Sequence, residues 1–227
     1  MSADLRLILF DVDGTLVDSQ ADIIASMTSA FASAGLPAPD RANILSIVGL
    51  SLPRAMEILA PSADAETHHD MVIAYKEAYM ALRAASGSQK SSPLFPGIRS
   101  VLDDLNAVPE HILGVATGKS QRGLDALIEG HALDKMFLTR QCADHHPSKP
   151  HPSMVLRAMD ETGVDPAQTV VIGDTSFDME MARAAGAFAI GVSWGYHPVG
   201  RLHDAHLIVD HVHALPAALN SLWRSAA

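Results

Sequence analysis

Residues 7–19 read LILFDVDGTLVDS: four apolar residues lead into Asp11, then one apolar residue, a second acid at Asp13, and the pair Gly14-Thr15. An uninterrupted apolar run of this length is the pattern of a strand covered on both faces, because a strand with one wet face alternates. In an extended segment side chains two apart project from the same face, so Asp11 and Asp13 are delivered together at the strand's carboxyl end. Gly14 then lets the chain turn.

Working outward, short apolar runs recur at 5–10, 111–116, 135–139, 169–172, 187–192 and 207–209, and helical patterns lie between them at 121–130, 152–162 and 177–185. Strands alternating with helices of that length predict an α/β fold, a doubly wound parallel sheet. The region from about 16 to 88 breaks the alternation. Its pattern is helical throughout, over 21–34, 42–48, 52–59 and 65–85, with Met71, Tyr75, Ala78, Tyr79 and Leu82 forming an amphipathic stripe in the last. The run GLPAP at 35–39 and the run SGSQKSSP at 86–93 supply breaks and a hinge. The expected division is a core of residues 1–15 and 89–227 with a helical insert at 16–88.

Twenty-six acidic residues against sixteen basic ones give a net charge of -10, so no basic excess exists to displace the counterions of a nucleic acid. A small anionic ligand remains compatible, because a few local cations dominate within the roughly 8 Å screening length of physiological salt. The single cysteine, Cys142, excludes an internal disulfide framework and reads as a buried, inert thiol. The first residues lack the pattern of a secretory leader, and no segment reaches the roughly 18 apolar residues of a membrane span. The expected location is the cytoplasm, with no membrane partner.

Ligands of such sheets bind at the carboxyl ends of the strands, where polar residues of one chemical kind recur. Asp11 and Asp13 follow the first strand, Thr117 and Gly118 stand in GVATGKS after the second, and Lys149 stands in PSKPHPSM. Gly173, Asp174 and Asp178 belong to IGDTSFDME. Converging carboxylates repel by about 4 kcal/mol per pair at 4 Å and an effective dielectric near 20, so a cation belongs among them. A hard ion with oxygen ligands suits the set, and Mg2+ typically binds through one or two carboxylates plus substrate phosphate oxygens.

The ordered segments DVDGT, ATG, SKP and GDTSFD resemble the four motifs of the haloacid dehalogenase superfamily of phosphotransferases, and the helical insert is similar to the cap of its phosphoglycolate phosphatase-like members. The resemblance covers nearly the whole chain. It implies a Rossmann-like core, and a Mg2+-dependent phosphatase acting on a small phosphorylated metabolite, phosphoglycolate first, through an aspartyl-phosphate on Asp11. It further implies that Asp13 is the acid-base residue, that Thr117, Gly118 and Lys149 bind the phosphoryl group, and that the metal is held by Asp11, Asp174, Asp178 and Asp13, the last through its backbone carbonyl. A carboxylate fits the nucleophile's part, being ionised at neutral pH without a partner base. Ser148 departs from the glycine that often precedes the third-motif lysine, and Thr175 stands where serine is common.

The alternatives are a β-phosphoglucomutase-like sugar-phosphate mutase and, from another class, a phospho-acceptor receiver, whose acceptor lies well inside the chain with no helical insert behind it. Arg54, Lys76 and Arg83 of the insert are candidates for a substrate carboxylate or second phosphate, Arg54 foremost. Asp18 and Ser19 read as caps of the first helix of the insert. His145, His146 and His151 flank Lys149 near the expected site. The assembly state is expected to be monomer or homodimer.

Overall fold

The computed structural model describes residues 5–225. Strands β1 (Arg6–Phe10), β2 (His111–Thr117), β3 (Thr139–Cys142), β4 (Thr169–Gly173), β5 (Phe188–Val192) and β6 (Leu207–Val209) form one sheet in the order β3-β2-β1-β4-β5-β6, every pairing parallel. β1 is central and fully covered: Leu7 and Leu9 enter one apolar cluster, Ile8 and Phe10 the other. This is why its apolar run does not alternate. The chain passes from β1 to β2 and β3 on one side, then crosses to β4 on the other, so a crevice opens beside β1 where the winding reverses.

Between β1 and β2 run α1 (Gln20–Ser33), α2 (Arg41–Ser46), α3 (Leu52–Leu59), α4 (Ala65–Ser86), the short turn α5 (Ser88–Ser91) and α6 (Ile98–Asn106). α1 through α4 pack on one another around their own apolar cluster, which includes Met27, Phe31, Met56 and Met71. α4 starts where the Asp64 side chain accepts the Thr67 N–H at 2.9 Å and stops at Gly87. The segment expected to be a hinge is in part helical, forming α5.

α7 (Gln121–Gly130) and α10 (Leu215–Ser225) join α6 on the Ile8 and Phe10 face of the sheet, while α8 (Ser153–Thr162) and α9 (Ser176–Ala184) cover the other. α6 and α10 were absent from the expected helices, although Ile98, Val101, Leu102 and Leu105 recur at helical spacing and all are buried.

β3 corrects the expectation of a strand at 135–139. Pairing begins at Gly114 with Thr139, and the strand runs on to Cys142. Phe137 is buried in the turn before it, and Leu138 is 73% exposed. As an edge strand β3 is written with polar residues: Thr139 and Gln141 both donate to Glu161 of α8. Among the described residues no helix is long and apolar enough to cross a membrane.

Candidate active site

The carboxyl end of β1 delivers Asp11 into a fully buried position, where its Oδ1 accepts from Lys149 Nζ at 2.7 Å. The same ammonium donates to Asp178 Oδ1 at 2.6 Å. Lys149 comes from the loop between β3 and α8, and Asp178 from the first turn of α9. There Asp178 also completes a capping box, its Oδ2 accepting from the Thr175 N–H at 3.1 Å and the Thr175 hydroxyl at 2.7 Å. Asp174, directly after β4, accepts from the Thr15 hydroxyl at 2.9 Å and the Tyr196 N–H at 2.8 Å. Gly14 is required beside it: φ is +89°, and a Cβ there would lie 2.2 Å from Asp174 Oδ2.

Asp11, Asp174 and Asp178 each offer an oxygen within 4.8 Å of the others. Three buried carboxylates against one ammonium leave two negative charges uncompensated. Burial pushes the Asp11 carboxyl up to about 7, with Lys149 opposing and Asp178 reinforcing. Burial, then Asp11 and Asp178, hold Asp174 well above the ordinary carboxylate range. Burial works to lower the Lys149 ammonium, but the charges of Asp11 and Asp178 keep it above its ordinary value. Asp11 Oδ2 is buried without a hydrogen-bond partner. An orphaned carboxylate oxygen, a two-charge deficit and an all-oxygen donor set fit a divalent hard cation.

The Asp13 carboxylate is not part of this three-carboxylate cluster. Its Oδ1 accepts from Lys119 Nζ at 2.7 Å and from the Ser19 hydroxyl. Ser19, expected to cap α1, makes no side-chain cap and serves Asp13 instead. Asp18 does accept from the Gln20 N–H, at 3.3 Å. Tyr196 ties the two halves of the site together: its N–H reaches Asp174, and its hydroxyl accepts from the Ser19 N–H at 2.8 Å.

Lys119 and Tyr196 are absent from the residues expected at the site. Lys119 had a signal, since it stands inside the quoted GVATGKS; Tyr196 follows β5 with no motif around it. Burial works to lower the Lys119 ammonium, while the Asp13 charge and then Tyr79 outweigh it and raise it.

Thr117 and Gly118 line the same cavity as Asp11 and Asp13. The Thr117 hydroxyl accepts the Lys119 N–H at 3.2 Å. Gly118 lies directly beneath the insert: a Cβ there would meet the Gly49 and Leu50 carbonyl oxygens at 2.6 and 2.7 Å. Two hydrogen bonds fasten the insert nearby, from Ser51 N–H to Ser148 Oγ at 2.9 Å and between His197 Nε2 and the Ser46 carbonyl at 3.0 Å. The serine that departs from the expected glycine at 148 is thus a contact with the insert.

Arg54 is not brought to this cavity. It is half-exposed and pairs with Glu57 at 2.7 Å along α3, whereas Lys76 and Arg83 do line the cavity. The difference is one of helix face: α3 turns Ala55 inward and Arg54 outward. His146 binds Ser153 at 2.8 Å and Gln141 at 2.9 Å, bracing the loop that carries Lys149. Cys142 is buried, and burial raises its thiol above the ordinary value, as an inert cysteine requires.

The sheet order and this cluster define a doubly wound α/β protein with its polar site at the switch point. The family model for haloacid dehalogenase-like hydrolases matches residues 8–192, and the chain belongs to that family. It is 36% identical over 223 residues to the probable phosphatase IndB of Dickeya dadantii, covering 96% of this chain and 95% of that protein. It is 32% identical to the N-acetylmuramic acid 6-phosphate phosphatase of Pseudomonas putida, covering 96% and 97%, and 28% identical to a phosphoglycolate phosphatase of Mannheimia succiniciproducens, covering 91% and 93%. Among solved structures, a haloacid dehalogenase-like hydrolase from Streptococcus pneumoniae superposes with a TM-score of 0.80 at 26% identity, covering 95% of this chain and 98% of that one. The chain is a phosphoric monoester hydrolase.

Proposed function

We propose that this enzyme is a Mg2+-dependent phosphatase that hydrolyses a small phosphomonoester of a carboxylic acid through an aspartyl-phosphate on Asp11, with phosphoglycolate as the reference substrate. The observation that carries the reading is Asp11 itself: a buried carboxylate facing the cavity, one oxygen on Lys149 and the other unpartnered. The substrates named for two relatives, phosphoglycolate and N-acetylmuramic acid 6-phosphate, are both phosphorylated carboxylic acids. Lys76 and Arg83 on the cavity wall suit the carboxylate of such a molecule. Residues 16–88 are the cap that shields the phosphorylated aspartate from bulk water, on a core of residues 1–15 and 89–227. The single cysteine fits action in the cytoplasm.

In this reading an Asp11 oxygen attacks phosphorus and the ester oxygen leaves, taking a proton from Asp13. Water then attacks the phosphorus, gives its proton to Asp13, and releases inorganic phosphate and free Asp11. Asp13 lines the cavity, with its Oδ1 held by Lys119 and Ser19. Lys149 balances charge on the transferring group, and Thr117 with the Gly118 N–H orient its oxygens. Asp11, Asp174 and Asp178, with the Asp13 backbone carbonyl, would hold Mg2+, which would supply charge neutralisation for the phosphoryl oxygens.

Phosphate release across a panel of phosphomonoesters, with Mg2+ and with EDTA, tests this. Turnover should require the metal, and Asp11→Asn should lower it by more than about a thousandfold. Isomerisation of a hexose 1-phosphate without free phosphate would contradict it, as would near-normal turnover by Asp11→Asn.

A further inference from the structure

The cavity above Asp11 has a volume of about 270 Å³. A cavity of about 150 Å³ already accommodates benzene, so the space holds a phosphoryl group with a ring-sized body behind it. The two-carbon acid of phosphoglycolate would leave much of it unfilled. Its walls do not resemble a site for a purely polar molecule either. Ile23, Met27, Val48 and Leu50 of the insert line it, and Tyr75 and Tyr79 of α4, also in its wall, are stacked with centroids 6.1 Å apart.

The charges on the wall are equally specific. Lys76, Tyr79, Met80 and Arg83 follow at helical spacing on one face of α4, Lys76 and Arg83 being about 10 Å apart along the axis. Neither cation has an acid three or four residues away, and neither makes an ion pair or hydrogen bond among the described residues. Arg54 and Arg157, by contrast, each hold an acid on their own helix. Arg83 also lines the small recess beyond Lys119, beside Ser92 and Leu127, at the end of the cavity furthest along α4.

We propose that the substrate's leaving group is a ring-sized organic acid, its apolar face packed between the insert's aliphatic wall and the α4 tyrosines, its anionic group received by Arg83. The inference rests on the phosphatase reading and names the substrate class of that site.

Binding of carbon-linked analogues, which the enzyme cannot hydrolyse, tests it by calorimetry on the wild-type protein with Mg2+. The probes are 2-(4-carboxyphenyl)ethylphosphonate, 2-phenylethylphosphonate, and 3-phosphonopropionate as the isostere of phosphoglycolate. The carboxylated ring compound should bind at least about tenfold more tightly than 3-phosphonopropionate. Arg83→Met should remove its advantage over 2-phenylethylphosphonate while leaving the advantage of the ring. Equal or tighter binding of 3-phosphonopropionate overturns the proposal, as does a carboxylate advantage that survives in Arg83→Met. The readout separates the two readings: tight ring binding without phosphate release from any ester counts against the phosphatase and upholds the substrate shape. Phosphate release with preference for the two-carbon analogue does the reverse.

Discussion

Lys149 is the residue on which the charge balance of the site turns. It is 2% exposed and holds Asp11 and Asp178 on one ammonium. Removing one partner of a buried ion pair costs about 3–5 kcal/mol, because the remaining charge is stranded. Lys149→Met should therefore lower the stability of the metal-free protein by at least that amount in urea unfolding, and millimolar Mg2+ should restore part of it. A loss below about 1 kcal/mol would mean that the carboxylates are not charged against it. Asp11 and Asp174 were legible in the sequence because charge at the end of an apolar strand is expensive and must have a purpose; Lys149, in a loop, was legible only through the resemblance of its motif. Ser19 and Tyr196 were not, since each is ordinary beside its chain neighbours and meets its partners only through the fold; Lys119 stood inside GVATGKS, but only the fold reveals its partner Asp13. Arg54 stands outside the cavity because the face of α3 that turns inward is set by packing on α4, which sequence spacing alone does not fix.

At the scale of elements, His197 makes one of the hydrogen bonds that join the insert to the core. Its Nδ1 accepts from the Ser176 N–H at 3.2 Å, so its Nε2 carries the proton given to the Ser46 carbonyl. Burial, with Arg201 adding, pushes this imidazole down to about 4, while the Asp178 charge acts the other way. A histidine with a folded value below its ordinary one disfavours proton uptake in the native state. Stability is therefore lost as pH falls from about 6.5 toward about 4, and is unaffected by this group above that window. The loss should reach at most about 3 kcal/mol.

The raised carboxyls of Asp11 and Asp174 slope in the opposite sense, so the effect is read as the difference between wild type and His197→Gln in denaturant unfolding at pH 7.5 and 5. The variant should lose less on acidification; parallel losses would remove His197 from the contact. Most elements were legible from apolar periodicity, including α3 and α7 at their observed bounds. β3 was not, because an edge strand with Thr139, Arg140 and Gln141 lacks the apolar run that marks a covered one. α6 carries the apolar helical pattern plainly in Ile98, Val101, Leu102 and Leu105.

For the whole molecule, the sheet order explains why residues from distant parts of the chain meet. β1 lies between β2 and β4, so Asp11, Thr117 and Asp174 emerge side by side, and the loop after β3 and the start of α9 bring Lys149 and Asp178 to the same crevice. The insert, leaving directly after β1, returns over that crevice and supplies its apolar wall, adding Lys76 and Arg83 to Lys119 and Arg122 of the core. The net charge of -10 makes this local concentration of cations the feature a small anion would find. In the proposed mechanism the reaction depends on the carboxylate cluster paired with Lys149, and on Asp11 within it as the nucleophile.

Acid quenching during steady turnover with Mg2+, followed by peptide mass mapping and borohydride reduction of acyl phosphates, tests that dependence directly. A phosphoryl adduct on Asp11, lost in Asp11→Asn and in EDTA, is the predicted result. Full turnover with the adduct on another residue, or with none trapped at any quench time, would contradict it.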